Sequence, residues 1–539
     1  MGELTSSAIE RLPYLTGDER ESAWSDILRA IKRVISRLTS SSGEQFRIAA
    51  YNAILFSKGF LLTTEKSIQS IVSESGYERA LELYNLNIQG HSTIGTWGTP
   101  HTFNAEQYVD KYLNDVRLQL LIKDALSTNA AKPREDYRCI RALLKNGEAL
   151  VDFFDVNVDA PDIGNKYIAI IVKPERAQPF VIETCSEKAI RDIFSRINEK
   201  GLAESALYAS EGPYGKELAD SLWNPLSPYL DNCETIYFSP SGSLHRIAVE
   251  CLPTEGGTIA QRYHAFHRIS HAREISSCRR DFVSNLGDTV IIGGLKYDDS
   301  QGHDIQSDEV PESRGYALNN DQSDETPSRW SFLPWSEREV DAVNRIWQLK
   351  KPSASSIYKG LSADDCYFKS LLSNGGPRIL HIATHGFSMT RKAAQNIPAL
   401  KGLHHPLDLT GLILSYGNSG WLNGNKTEHR GVVTAMEIAK MNLTSTELVV
   451  LSACFTGTGF IGQDGLYGLI RAFKKAGAKT ILASLWDVDD EAAYYFMYNF
   501  YSAFLNRGLN YRDAFEQARR CTKEDYRDPV YWAGFILVD

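Results

Sequence analysis

Two residues in the second half of the chain have the types and the setting for covalent chemistry. His385 closes the apolar run RILHIAT (378–384) and precedes Gly386, and Cys454 closes ELVVLSA (447–453) and precedes FTGTG. Both runs read as buried parallel strands, so both residues stand at strand carboxyl ends, where open α/β sheets gather their ligand sites. They are 69 positions apart and meet if those strands are neighbours. An imidazole beside a thiol takes its proton and leaves a nucleophilic thiolate. The same ring can return that proton to a leaving amine, which suits acyl transfer. Gly386 removes a side chain where a substrate backbone would pass. The N–H groups of Gly386 and Cys454 are candidates for an oxyanion hole, and Gly457 and Gly459 suit a tight turn after the thiol. A lone cysteine at a strand end is ordinarily a small core hydrophobe. Two reactive types at equivalent ends, each close to glycine, shift that balance.

Positioning such a pair needs a rigid sheet. TVIIGG (289–294), SIYK (356–359) and TILASLW (480–486) are short strand candidates without strict alternation, as expected of strands covered on both faces. Helical stretches lie between them: SEREVDAVNRIWQL from 336, residues 362–373, DGLYGLIRAFKKAGA (464–478) closed by Gly477, and EAAYYFMYNFYSAFL (491–505). Ser336 and Glu339 have capping-box spacing, and Val340, Val343 and Trp347 share a face. The alternation predicts a three-layer αβα sandwich on a mostly parallel sheet. Upstream, ALVDFFDV (149–156), YIAIIVK (167–173), PFVIET (179–184) and TIYFSP (235–240) read as further strands, with helices over 186–203 and 214–230. Residues 1–135 read mostly as helix, as at 51–72 and 78–88, with a loop over 89–105. The expected units are 1–135, 145–280 and 281–539. The acidic stretch 296–325 reads as a solvated insert. So does 388–446, which holds Arg391, Lys392, Lys401, His404, His405, Lys426, His429 and Arg430.

HIATHGF (381–387) and LSACFTGTG (451–459) resemble the two catalytic motifs of CHAT-domain proteins, caspase-like cysteine peptidases related to separase. The likeness continues through 464–492 and 528–539, and upstream through ALVDFF (149–154) and IYFSPSGSLHRIAVECL (236–252). It spans about 145–539, and 1–135 resembles the tetratricopeptide-like regions that often precede this domain. The resemblance implies a caspase-like fold with His385 as general base and acid and Cys454 as nucleophile. Family members often carry Glu directly after the cysteine. This chain has Phe455, beside the expected pocket, and Ser452 where some related peptidases have an acid. Pocket carboxylates remain available in Asp464, Asp487, Asp489 and Asp490. A buried one would select Lys or Arg by a charge-assisted hydrogen bond. Each alternative is local: Asp464 caps the helix that follows it, and Asp489 or Asp490 caps the helix at 491. Asp487, at a strand end after Trp486, ranks first.

Composition narrows the partners. The 539 residues are 43% hydrophobic and 23% charged, the balance of an ordinary multidomain globular protein. A net charge of −9 without a basic stripe argues against direct nucleic-acid binding. No run reaches the roughly 18 apolar residues of a membrane helix, and the N-terminus has no signal-like apolar core. Eight cysteines with no CxxC pair fit neither a zinc site nor a disulfide framework, and suit a reduced cytoplasm. His404–His405 lacks companion ligands, so no metal or cofactor is expected. The leading reading is a cytoplasmic endopeptidase acting on a protein substrate, a neighbouring gene's product being one option. An activating protein or ligand would bind the helical unit. By analogy the role lies in prokaryotic antiviral defence or programmed cell death, with gasdermin or CRISPR-associated substrates compatible. The rivals are a helical scaffold with a degenerate or latent peptidase domain, and a transpeptidase or ligase using the same thioester.

Overall fold

The computed structural model describes residues 17–58, 136–157, 165–200, 202, 204–279, 287–298, 329–351, 355–373, 375–403, 405–424, 430–453, 456–457, 459–462 and 465–539. The β-branched and aromatic runs form strands where the sequence places them. The first part holds β1 (Glu148–Asn157), β2 (Asn165–Val172), β3 (Phe180–Ser186), β4 (Thr235–Ser239) and β5 (Ala265–Arg268). The second opens with β6 (Thr289–Leu295), β7 (Ser355–Gly360), β8 (Ile379–Ala383), β9 (His385–Ser388), β10 (Thr410–Ile413) and β11 (Val432–Thr434). It continues with β12 (Leu448–Ser452), β13 (Gly459–Gly462), β14 (Gly465–Gly468), β15 (Thr480–Ser484) and β16 (Phe535–Val538).

One 11-stranded sheet runs through both parts in the order β3-β2-β1-β4-β5-β16-β15-β12-β8-β6-β7. Neighbours are parallel except at β3–β2, β2–β1 and β16–β15. The antiparallel β16–β15 step reverses the sheet's direction. The carboxyl ends of β1, β4 and β5 therefore lie on the edge opposite those of β12, β8 and β6. Every residue of β6, β8 and β15 is buried, so helices cover both faces, giving an αβα sandwich.

The helices that matter to the site are α1 (Gly17–Ile35), α2 (Glu44–Ser57), α3 (Pro334–Lys350), α4 (Leu469–Ala476) and α5 (Asp490–Tyr501). α3 packs on β6 and on α5, and α1 packs on β1. Leu28, Ile31, Ile35, Tyr51 and Ile54 of the helical region share a core with Leu150, Phe154, Ile168 and Ile170 of the sheet. The remaining sequence expectations for 59–135 and 299–328 lie outside the described residues.

Several local expectations are corrected. Ser336 and Glu339 form no capping box. Pro334 starts α3 earlier, because its fixed φ suits a first turn and its missing N–H loses nothing there. Ser336 instead accepts from Gly294 N at 3.0 Å and donates to Leu333 O at 3.0 Å, while Glu339 is buried. The helix expected from 464 begins at Leu469. The glycine-flanked stretch before it pairs as β14 with β13. The helix expected over 214–230 runs Pro213–Leu222, and the chain re-forms short turns around Pro225 and Pro228. Segment 388–446 is a folded unit among its described residues. β9, β10 and β11 make a three-stranded antiparallel sheet, and a helix spans Gly417–Asn423.

Candidate active site

β8 and β12 are adjacent, parallel and in register from Ile379↔Leu448 to Ala383↔Ser452. Beyond that last pair Thr384 N still donates to Ser452 O at 3.3 Å. The chain then changes sheets: His385 opens β9 opposite Ile413, and Gly386, buried, stands opposite Leu412. His385 is thus held at the expected sheet edge by a second, smaller sheet. Cys454, Phe455 and Asp464 lie outside the described residues. The chain on either side of 454–455 is tied to the end of β15. Ala453 O accepts from Ser484 Oγ at 2.8 Å and from Thr456 Oγ1 at 3.0 Å. Ser484 N donates to Thr456 Oγ1 at 3.1 Å, and Gly457 N donates to Ser484 O at 2.6 Å. A Cβ on Gly457 would stand 2.8 Å from Ser484 O, so close backbone approach is what requires glycine there. Further along, Gly459 O accepts from Arg246, which follows β4.

His385 Nε2 lies 2.8 Å from Ser331 O. A carbonyl only accepts, so the ring proton is on Nε2 and Nδ1 is the basic nitrogen. The rings of Tyr297 and Trp330 each stand 5.1 Å from the imidazole. Asn418 fixes Trp330 at both backbone groups, accepting from its N at 2.7 Å and donating to its O at 3.0 Å. Tyr297 Oη is 3.0 Å from Thr384 Oγ1. Enclosure depresses the His385 pKa to about 4, although the bond to Ser331 pulls the other way. The ring is therefore neutral near pH 7. Sequence reasoning did not find Tyr297, Trp330, Ser331 or Asn418. Tyr297 lies at the start of the stretch taken for an acidic insert, Trp330 and Ser331 just beyond its end, and Asn418 in the second segment taken for a solvated insert.

The carboxylates separate by role. Asp489 caps α5, accepting from Ala492 N at 3.0 Å. Asp490 Oδ2 accepts from Trp335 N at 3.0 Å. Burial, with the nearby charges of Glu339, Asp489 and Asp487, pushes its pKa up to about 7. Asp487 is half-buried beside this pair. α4 starts after Gly468, later than the helix expected to follow Asp464. His405 Nδ1 accepts from Leu407 N at 3.1 Å, a capping role. Among the described residues no three His, Cys, Asp or Glu side chains group as metal ligands, and no helix is long and apolar enough to cross a membrane.

Residues 212–539 match the family model described as the CHAT domain. Tetratricopeptide repeat protein 28 of Mus musculus is 37% identical to this chain over 109 residues, and its Homo sapiens counterpart 35%. That stretch is 20% of this chain and 4% of either relative, so the chain matches a small fraction of their length. Among solved structures, the Arg-specific cysteine proteinase gingipain R aligns with 65% of this chain and 74% of its own, at 9% identity and a TM-score of 0.35. The Saccharomyces cerevisiae separase–securin complex aligns with 100% of this chain and 37% of that one, at 10% identity and a TM-score of 0.48.

Proposed function

The chain belongs to the CHAT-domain family, and from that premise we propose that it is a cysteine endopeptidase in which Cys454 attacks and His385 moves the proton. The observation that carries the reading is the in-register adjacency of β8 and β12, whose carboxyl ends lead into His385 and Cys454. The thiol proton passes to His385 Nδ1 as sulfur bonds to the scissile carbonyl carbon. The N–H groups of Gly386 and Cys454 receive the oxyanion. Collapse breaks the C–N bond, and the amine leaves with the proton from Nδ1. Water then hydrolyses the thioester with His385 as base. Ser331 O, bonded to Nε2–H, keeps Nδ1 as the accepting nitrogen and stabilises the imidazolium as it forms.

Enclosure keeps the His385 ring neutral near pH 7, the form that can take a proton. An activating protein or ligand, bound by the helical region within 1–135, raises the activity of the dyad. The substrate is a protein, and Phe455, Asp464, Asp487, Asp489 and Asp490 are the pocket candidates. Asp487 and Asp490 are favoured, because Asp489 is engaged as a cap. A cytoplasmic role in antiviral defence or programmed cell death completes the reading.

The test exposes a proteome-derived peptide library and the products of neighbouring genes to wild type, Cys454→Ala and His385→Ala, with and without candidate activators. Discrete products that fall by roughly 10³-fold or more in both variants are expected. Products that persist in Cys454→Ala sink the peptidase reading, and a wild type inert under every condition points to the scaffold.

A further inference from the structure

Beneath the two reactive strands lies a buried polar group that the proposed chemistry does not use. Glu339 of α3 is 1% exposed and reaches both strands. Its Oε2 accepts from Ser452 Oγ at 2.9 Å on β12. Its Oε1 stands 2.8 Å from His381 Nε2 on β8, at ion-pair distance without the alignment of a hydrogen bond. His381, fully buried, places Nδ1 3.2 Å from the Tyr501 hydroxyl of α5. His381 precedes His385 by four residues, and Ser452 precedes Cys454 by two.

A carboxylate this deep with so few donors is a poor way to stabilise a core, since apolar side chains of similar volume commonly do as well or better. What it offers is geometry. Backbone pairing fixes the register of β8 and β12 but leaves their ends free to splay where the chain departs into β9 and into the turn after Ala453. Glu339 spans the two strands just before that point. The ionisable groups facing it are His381 from β8 and, from α5, Tyr501 and Asp490. Burial and the Glu339 charge keep the Tyr501 hydroxyl protonated.

We propose that Glu339 is a positioning residue that clamps β8 to β12 through His381 and Ser452 and so sets the approach of His385 to Cys454. This rests on the Cys–His reading, and both can be judged together without a known substrate. The measurement is the rate of Cys454 alkylation by iodoacetamide at pH 7, read by peptide mass spectrometry against exposed Cys366 of the same molecules. The full-length variants are His385→Ala, Glu339→Ala, Glu339→Gln, Ser452→Ala and Val343→Ala, the last a buried apolar control on the same helix.

A general base slows alkylation when removed, so His385→Ala is expected to slow Cys454 about 10-fold. Glu339→Ala is expected to match it to within about threefold, because small misplacements of reacting groups carry large rate penalties. Glu339→Gln, whose amide oxygen still accepts from Ser452, should retain most of the rate, and Ser452→Ala should fall between. If His385→Ala slows Cys454 while Glu339→Ala and Ser452→Ala behave like Val343→Ala, the clamp is overturned and the dyad stands. If His385→Ala leaves the rate unchanged, the dyad reading falls and the clamp falls with it.

Discussion

Burial holds three histidines neutral: His385 and His267 at about 4, and His245 at about 3. For His245 the positive charges of Lys58 and Arg268 add to the burial. Each folded-state value lies below the ordinary value near 6.5, so the unfolded chain binds the proton first as pH falls. Their contribution is complete above pH 6.5 and is lost between there and about pH 4, or about pH 3 for His245. At pH 5 each histidine costs about 2 kcal/mol before solvent screening, while the raised Asp490 carboxyl opposes them by about 2 kcal/mol over the same range. Denaturant titrations at pH 7.5 and 5 of wild type and His267→Gln isolate one ring, and the variant should remove about 1–2 kcal/mol of the loss on acidification. An identical pH dependence in His267→Gln would mean that this ring is solvated. At this scale the sequence is legible where a motif is contiguous, as for His385 beside Gly386. It is illegible where the partner is remote. Ser331 lies 54 positions from the imidazole it holds. Glu339 has the spacing of a local cap, but burial against Ser452 and His381 wins over that local rule.

Among the elements, the long apolar strands were readable because burial on both faces leaves β6, β8, β12 and β15 nearly continuous in hydrophobic residues. Short elements were not. β10 and β11 have four and three residues, too few to show a period, so a folded sheet passed for a polar insert. β14 was absorbed into the amphipathic pattern of α4, although Gly465 and Gly468 bracket it. The turn after β12 gives a prediction of its own. Gly457 N donates to Ser484 O at 2.6 Å, and an added Cβ would meet that oxygen at 2.8 Å. Backbone cannot swing aside like the tip of a side chain, so Gly457→Ala must push the turn away from β15. The expected cost is about 1–3 kcal/mol in stability, the usual size of overpacking. Alkylation of Cys454 should change alongside that of the Glu339 variants. Unchanged stability and an unchanged Cys454 rate would show that the turn adapts freely.

Across the whole molecule, the reversal at β16–β15 sends the carboxyl ends of β1 and β4 to the edge opposite His385. The helical region docks there through buried charges. Lys58, just after α2, donates to Asp152 Oδ1 at 2.6 Å, to Ser239 Oγ at 2.8 Å and to Pro240 O at 3.0 Å. Lys32 of α1 donates to Asp155 Oδ2 at 2.6 Å, and Ser241 Oγ donates to Oδ1 at 2.6 Å. Burial lowers the Lys58 pKa despite Asp152 beside it. In Asp155, Lys32 and Ser241 outweigh burial and hold the carboxyl below its ordinary range. Removing one partner strands the other charge, so Asp152→Ala should cost about 3–5 kcal/mol. Removing both is different: Lys58→Met with Asp152→Leu should come within about 1–2 kcal/mol of wild type, because the desolvation of two ions goes with their attraction. Denaturant unfolding of the single and double variants measures the coupling directly. Equal costs for Asp152→Ala and the double variant would mean that the pair is not closed in solution. The tie sits at the far edge, so Asp152→Ala, which loosens the helical region, should leave the Cys454 alkylation rate near wild type. A large change in that rate would instead place a mechanical link between the two edges, with Arg246 on Gly459 O as the contact to cut next.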